Sequence, residues 1–68
     1  MKRITQLRQE VGLSQSALAR RANLNQATVN QVERGRLLPY DGQLAKLARA
    51  LEVPDADKET LLQEVPHE

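Results

Sequence analysis

The sequence contains no cysteine, tryptophan or phenylalanine, and Tyr40 is its only aromatic residue. The absence of cysteine excludes disulfides, thiolate chemistry and cysteine-bound zinc. The single histidine, His67, lies in the tail, where we expect it to be solvated rather than catalytic or metal-binding. The core must therefore be built from Leu, Val, Ile and Ala, a composition that suits helices packed on helices.

Long apolar runs are also absent. No stretch approaches the ~20 residues needed to span a membrane, and no apolar stretch follows the basic start of the chain, as it would in a signal peptide. We therefore expect a cytoplasmic protein without a membrane partner. The sequence offers no nucleophile–base pair, metal-ligand cluster or phosphate-binding loop, so we expect neither an enzyme nor a cofactor.

The 68 residues suffice for one small domain, and their charge is unevenly distributed. Residues 1–36 hold seven basic and two acidic side chains, a net charge of +5, whereas residues 37–68 hold three basic and seven acidic side chains, a net charge of −4. The first region should attract phosphates while the second stays acidic. The alternative is the uneven scatter of charge that small helical proteins often show.

Apolar periodicity predicts an all-α bundle of five short helices. The first spans about 4–11 and ends at Gly12, and Gly35 closes the third. Ser14 and Asn25 are predicted to cap the second and third helices through their side-chain oxygens. Asn23 supplies a left-handed turn between these two helices, a conformation that asparagine tolerates.

The fourth helix shows the clearest apolar stripe, which comprises Leu44, Leu47, Ala48 and Leu51. It stops at Val53, because a residue before proline avoids helical geometry. Asp55 is predicted to cap a last helix carrying Leu61, Leu62 and Val65. We therefore divide the chain into a domain at 1–54 and a C-terminal helix and tail at 55–68, which packs on the domain or contributes to dimerisation.

The third helix carries a row of amide side chains. Val29 and Val32 must face the core, so the opposite face holds Gln26, Ala27, Asn30, Gln31 and Arg34. Amides match the paired donor and acceptor edge of adenine, and an alanine methyl can touch the thymine methyl. The predicted base contacts are Gln26, Ala27, Asn30 and Gln31. The alternative interpretation of this amide-rich face is an ordinary solvated helix face. Arg34 and Arg36 are predicted phosphate contacts.

From Ile4 to Val53 the chain resembles the Cro and phage-repressor type of helix-turn-helix domain, the lambda-repressor-like fold, in which helices two and three form the motif. The matching residues are Leu13, Ser14, Gln15, Leu18, Ala19, Ala22, Leu24, Thr28, Val29, Val32, Glu33, Gly35, Pro39, Leu44, Leu47, Ala48, Leu51 and Val53. No single residue is diagnostic, but the ordered set is specific.

The resemblance implies further roles. Gln15 is expected to touch a DNA phosphate and to brace the base-reading helix, and Ser14 and Asn25 either contact phosphate as well or act only as caps. Arg8 and Glu33 are expected to form a partly buried ion pair, the alternative being two independent surface charges. Such domains usually bind double-stranded DNA as homodimers, with base-reading helices about 34 Å apart.

The chain departs from the family pattern in three places. Asn23 stands where the turn usually has glycine. Tyr40 and Asp41 replace a small capping residue and an apolar one, which can shift the start of helix four by one residue. Arg36 is followed by Leu37 and Leu38 where the linker is often basic, which removes some expected phosphate contacts.

The sequence thus predicts a sequence-specific double-stranded DNA-binding transcriptional regulator that reads the major groove with helix three. The alternative is a protein-interaction module, such as an antitoxin-like partner that also binds its own operator and meets another protein through the acidic C-terminal half. A dimer surface could be the C-terminal segment, although packing is favoured for Leu61 and Val65. The loop residues Leu37, Leu38 and Tyr40 are a second candidate contact patch.

Overall fold

The fold is a set of four α-helices followed by one 3₁₀ helix, described for residues 1–66 in a computed structural model. Helix α1 is Arg3–Glu10, α2 is Gln15–Ala22, α3 is Gln26–Glu33, α4 is Asp41–Ala50, and the C-terminal 3₁₀ helix is Asp55–Leu62. His67, whose solvation was predicted, and Glu68 lie outside the described residues. The predicted all-α architecture of five short helices is confirmed.

Every helix contributes to one core. Four fully buried side chains come from four different helices: Ile4, Leu18, Leu47 and Leu61. Helix α3 adds its two valines, and the predicted stripe of α4 is buried as well. Helix α2 contacts both α3 and α4, while the 3₁₀ helix contacts α4 and α1. Helix α3 therefore packs on α2, and α2 in turn packs on α4.

The ends of the helices follow from particular residues. Gly12 after α1 and Gly35 after α3 have φ of 77° and 73°, a region that glycine adopts without a steric penalty. Helix α4 begins at Asp41, with Tyr40 at the capping position. The side-chain oxygen of Gln43 accepts a hydrogen bond from the Tyr40 backbone N–H at 3.0 Å, so the unusual residue at this position still has its amide satisfied.

The last predicted helix is present, but its start and its extent differ from the prediction, and it has 3₁₀ geometry. Asp55 does not cap it but is its first residue, following Pro54, whose carbonyl accepts from the Asp57 N–H at 2.8 Å in the i→i+3 pattern of a 3₁₀ helix. Val65 lies beyond the helix, because its N–H donates to the Met1 carbonyl at 2.8 Å. This pairing with the start of the chain draws residues 63–65 out of helical geometry.

The same segment contains an isolated antiparallel bridge between Lys2 and Glu64, beside a hydrogen bond from the Arg3 N–H to the Gln63 carbonyl at 2.8 Å. The Lys2 ammonium also lies 3.2 Å from the Glu64 carboxylate, and the terminal ammonium of Met1 lies 3.4 Å from it. The hydrogen bond from Lys2 and the neighbouring terminal ammonium hold the pKa of Glu64 below its usual value.

The 3₁₀ helix is also tied to the start of α4 through Lys58. Its ammonium lies 3.2 Å from the Asp41 carboxylate and 3.3 Å from that of Asp55. The hydrogen bonds that Lys58 donates to Asp41, which has the larger effect, and to Asp55 raise the pKa of Lys58 above its usual value. No helix within residues 1–66 combines the length and apolar character needed to cross a membrane.

Candidate nucleic-acid interface

Helices α2 and α3 are joined by the three residues 23–25. Asn23 has φ of 57° and ψ of 44°, the left-handed conformation predicted for it. The next amide, that of Leu24, donates to the Ala19 carbonyl at 2.8 Å, and the Leu24 side chain packs against the core. This reversal places α3 across α2, and it needs a residue that tolerates the left-handed region.

Both helices of the pair are capped by side chains at their N-termini. Ser14 Oγ accepts a hydrogen bond from the Ala17 N–H at 3.0 Å, and Asn25 Oδ1 accepts from the Thr28 N–H at 2.8 Å. Thr28 Oγ1 also donates to Asn25 Oδ1 at 2.9 Å. Capping occupies the oxygens of both residues, but leaves the Ser14 hydroxyl hydrogen and the Asn25 amide hydrogens available as donors to an anion.

The predicted outward face of α3 is accessible. Gln26 and Ala27 are exposed, and Asn30 and Gln31 are partly exposed. The two valines of the same helix are buried. Helix α3 is about two turns long, and these four side chains all lie on its accessible side.

A network of side chains joins α1, α2 and α3. The Arg8 guanidinium donates through Nε to Glu33 Oε2 at 2.7 Å and through Nη2 to Glu33 Oε1 at 3.2 Å. Its Nη1 donates to the Leu13 carbonyl at 2.8 Å. Gln15 Nε2 donates to Glu33 Oε1 at 3.1 Å, and Asn30 Nδ2 donates to Gln15 Oε1 at 3.2 Å. The Arg8 and Glu33 side chains are only 13% and 5% exposed.

The basic residues predicted to contact phosphates differ in availability. Arg34 and Arg36 follow α3, are exposed, and have no carboxylate within 4.0 Å in the described part of the chain. Lys2 lies close to Gly35 in this region, but its ammonium is paired with Glu64. Within the described residues, Arg34 and Arg36 therefore carry positive charge next to α3 that no carboxylate within 4.0 Å offsets.

Two features of this region are not apparent from the sequence. The hydrogen bond from Asn30 to Gln15 joins residues 15 positions apart, and the pairing of Lys2 with Glu64 joins opposite ends of the described chain. Neither spacing belongs to a local motif. The family resemblance implies that Gln15 braces the base-reading helix but does not name Asn30 as its partner, and nothing in the sequence indicates the Lys2–Glu64 pairing. Across residues 1–66, no group of three or more histidine, aspartate or glutamate side chains is arranged to hold a metal ion.

The arrangement of α2, the left-handed turn and α3 defines a class of protein. A helix-turn-helix domain family matches residues 2–61 of the chain. The chain therefore belongs to the helix-turn-helix domain family, whose members are DNA-binding modules of regulatory proteins. The resemblance to the Cro and phage-repressor type of domain is thereby confirmed.

A solved structure gives a more particular likeness. The crystal structure of an HTH_3 family transcriptional regulator from Vibrio cholerae superimposes on the chain with a TM-score of 0.75 and 32% sequence identity. The match covers 82% of this chain but 32% of the regulator chain, so the protein described here spans about a third of that regulator's length. No curated protein matches the chain.

Proposed function

We propose that this domain is a sequence-specific double-stranded DNA-binding transcriptional regulator that places α3 in the major groove. The observation that carries the proposal is the amide-rich outer face of α3, which lies beside the capped N-terminus of α2 and is joined to it by the Asn30–Gln15 hydrogen bond. Gln26, Ala27, Asn30 and Gln31 would contact base edges.

The surroundings of this face fit the phosphate backbone. The N-terminus of α2 offers amide hydrogens and the positive end of a helix dipole, which favour an anion. Ser14 and Gln15 lie at this end, and Asn25 lies at the equivalent end of α3. Arg34 and Arg36 supply positive charge at the other end of α3. In this arrangement phosphate contacts position the domain and base contacts give it specificity.

The exposed apolar side chains after α3 support binding as a homodimer. Leu38 and Tyr40 are 81% and 78% exposed, and both lie in the connection between α3 and α4. Binding to two half-sites of a duplex would require a dimer that holds its two α3 helices about one helical turn apart, and this connection offers an apolar surface for such a contact. Stoichiometry on a selected duplex tests this part: we expect two copies per site, and a saturated one-to-one complex would contradict it.

The experiment that tests the function is selection of bound sequences from a random duplex pool, followed by substitution of the base-contact residues. Gln26→Ala and Gln31→Ala should each weaken binding to the selected duplex by about 1–3 kcal/mol and relax the preference at one base pair. Gln9→Ala is the matched control, because Gln9 is an exposed glutamine on α1, outside the proposed surface. It should leave affinity unchanged.

Two outcomes would contradict the proposal. If both substitutions in α3 bind the selected duplex as the parent does, α3 is not the reading helix. If the chain binds no duplex even at low salt, the protein-interaction alternative is favoured instead, and a partner should be sought for the acidic C-terminal half.

A further inference from the structure

In the side-chain network that joins α1, α2 and α3, the orientation of each hydrogen bond is fixed. The reason is that Arg8 and Glu33 each have only one hydrogen-bonding role. A guanidinium group can only donate hydrogen bonds, and an ionised carboxylate can only accept them. Arg8 holds both oxygens of Glu33 in a two-point contact and is itself anchored by the Leu13 carbonyl. Glu33 is thereby fixed as an acceptor inside the domain.

This acceptor sets the orientation of the next side chain. A glutamine amide can turn either its oxygen or its nitrogen toward a neighbour, but an oxygen facing Glu33 would place two acceptors together. Gln15 must therefore present Nε2 to Glu33, as the 3.1 Å contact shows, and its Oε1 then points to Asn30. Because Gln15 Oε1 is an acceptor, Asn30 must donate to it, and the Asn30 Nδ2 atom lies 3.2 Å from Gln15 Oε1.

The consequence falls on the outer face of α3. With Nδ2 turned toward Gln15, the Oδ1 atom of Asn30 receives no hydrogen bond from any residue in 1–66. Building on the function proposed above, we propose that Glu33 acts as a specificity-determining residue without touching DNA. Through Gln15 it fixes the amide of Asn30 with Oδ1 outward, so that Asn30 selects an exocyclic amino group on a base.

The chemistry of the groove limits the bases that fit. The hydrogen-bond donors of the major groove are the N6 amino group of adenine and the N4 amino group of cytosine. Purine N7, guanine O6, thymine O4 and the phosphate oxygens are all acceptors, and none of them can pair with Oδ1. Glu33 acts only through its neighbours, since its side chain is 5% exposed. In this proposal Asn30 contacts the base, and Glu33, acting through Gln15, determines which atom of the Asn30 amide faces it.

The test begins with the duplex selected by the parent protein. The base pair read by Asn30 is the one at which Asn30→Ala relaxes preference. At that position the amino group is then removed by chemical synthesis, with purine in place of adenine or 2-pyrimidinone in place of cytosine. The parent should lose about tenfold in affinity for the altered duplex, and Asn30→Ala should bind both duplexes alike.

The decisive variant is Glu33→Gln, because a neutral amide at this position can donate as well as accept. Gln15 and Asn30 then gain their second orientation, and equal population of the two orientations should lower the ratio of affinities for the two duplexes from about tenfold to about fivefold. Glu10→Gln is the matched control, since Glu10 is an exposed glutamate on α1. Its ratio should equal that of the parent.

The ratio separates orientation from folding. Both duplexes meet the same protein sample, so a loss of folded molecules lowers both affinities and cancels. Should Glu33→Gln fail to fold, Gln15→Ala cuts the network while the Arg8–Glu33 pair remains, and it should lower the ratio at the same base pair. Preservation of the tenfold ratio in the folded variants would overturn the inference.

Other outcomes are equally informative. If the parent discriminates and Asn30→Ala relaxes no position, Asn30 reads no base and the inference is wrong while the proposed function stands. If the base at that position proves to present only acceptors to Asn30, the inference is also wrong. If the parent shows no preference among duplexes, both the inference and the proposed function fail.

Discussion

The two regions of opposite charge use their ionic side chains differently. In residues 1–36 the arginines that follow α3 are free of carboxylate partners in the described part of the chain, whereas in the acidic region Asp41 and Asp55 both hold Lys58. Glu64 reaches back to Lys2. The acidic region thus uses much of its charge within the molecule, while the basic region keeps charge available for a partner. Net charge alone, at +1, shows nothing of this division.

The regions also differ in how their helices are fixed. Helices α2 and α3 begin with side-chain caps, so each start is specified by one or two neighbouring residues. The C-terminal 3₁₀ helix has no side-chain cap and depends on Leu61, Lys58 and the backbone pairing beyond it. We therefore expect substitutions in the acidic region to act on stability and those in the basic region to act on binding.

The largest effect should come from Leu61→Ala. Leu61 is fully buried on the 3₁₀ helix, so its truncation should lower the free energy of unfolding by about 2–5 kcal/mol. Leu62→Ala is the matched control, because Leu62 is only partly buried, and it should cost less. Urea unfolding measures both. Equal costs would show that the 3₁₀ helix does not depend on Leu61 for its attachment.

Removal of one partner from the Arg8–Glu33 pair should have the next largest effect on stability. Both residues lie in the basic region, so this result would be an exception to the expectation that substitutions there act on binding. Arg8→Ala and Glu33→Ala should each destabilise the fold by roughly 2–4 kcal/mol, because the remaining charge stays poorly hydrated. The double variant should cost less than the sum of the two. A double-mutant cycle without coupling energy would mean that the two charges act independently despite their 2.7 Å contact.

Arg36→Ala tests the available charge of the basic region. It should weaken binding to selected and random duplexes alike, and reduce the slope of log affinity against log salt by about one, as expected for one lost phosphate contact. Arg20→Ala is the matched control, since Arg20 is exposed in the last turn of α2, at the end opposite Ser14. A loss confined to the selected duplex would make Arg36 a base contact instead.

The smallest effect concerns Glu64 and depends on pH. Because the folded-state pKa of Glu64 is lowered from 4.5, its contribution to stability is fully present above that value. The contribution is lost as the pH falls through the lowered pKa. Glu64→Gln should therefore have a slightly lower melting temperature than the parent at pH 7, and the difference should disappear in acid.

Glu59→Gln serves as the control for this prediction, because Glu59 is an exposed glutamate without a basic partner within 4.0 Å in the described residues. It should change the melting temperature less than Glu64→Gln at pH 7. A difference for Glu64→Gln that persists at pH 2 would show that packing, rather than charge, is responsible.

Features set by neighbouring residues could be predicted from the sequence. The left-handed turn at Asn23 and the caps at Ser14 and Asn25 depend on interactions within about four residues, and the structure has all three. The approach of Arg8 to Glu33 was expected only from the family resemblance, because 25 residues separate them.

What the sequence could not indicate depends on contacts between distant segments. The spacing of Val65 from Leu61 and Leu62 predicts that it belongs to the helix, yet Val65 pairs with the Met1 backbone. Backbone pairing of this kind leaves no trace in side-chain periodicity. Likewise, Asn30 was identified as an outward amide, but its orientation depends on Gln15, which only the packing of α3 on α2 brings near.

The length of α3 limits the number of base pairs that one copy of the domain could contact. Eight residues give a helix about 12 Å long, which lies over roughly four base pairs at 3.4 Å each. A given sequence of four base pairs occurs by chance about once in every 256 positions. A genome offers about 10⁶ or more competing sites, so it contains many copies of any such sequence. Under the proposed function, a single copy would therefore recognise only a short sequence that occurs many times in a genome. A unique binding site would require a second short sequence, read at a fixed distance from the first.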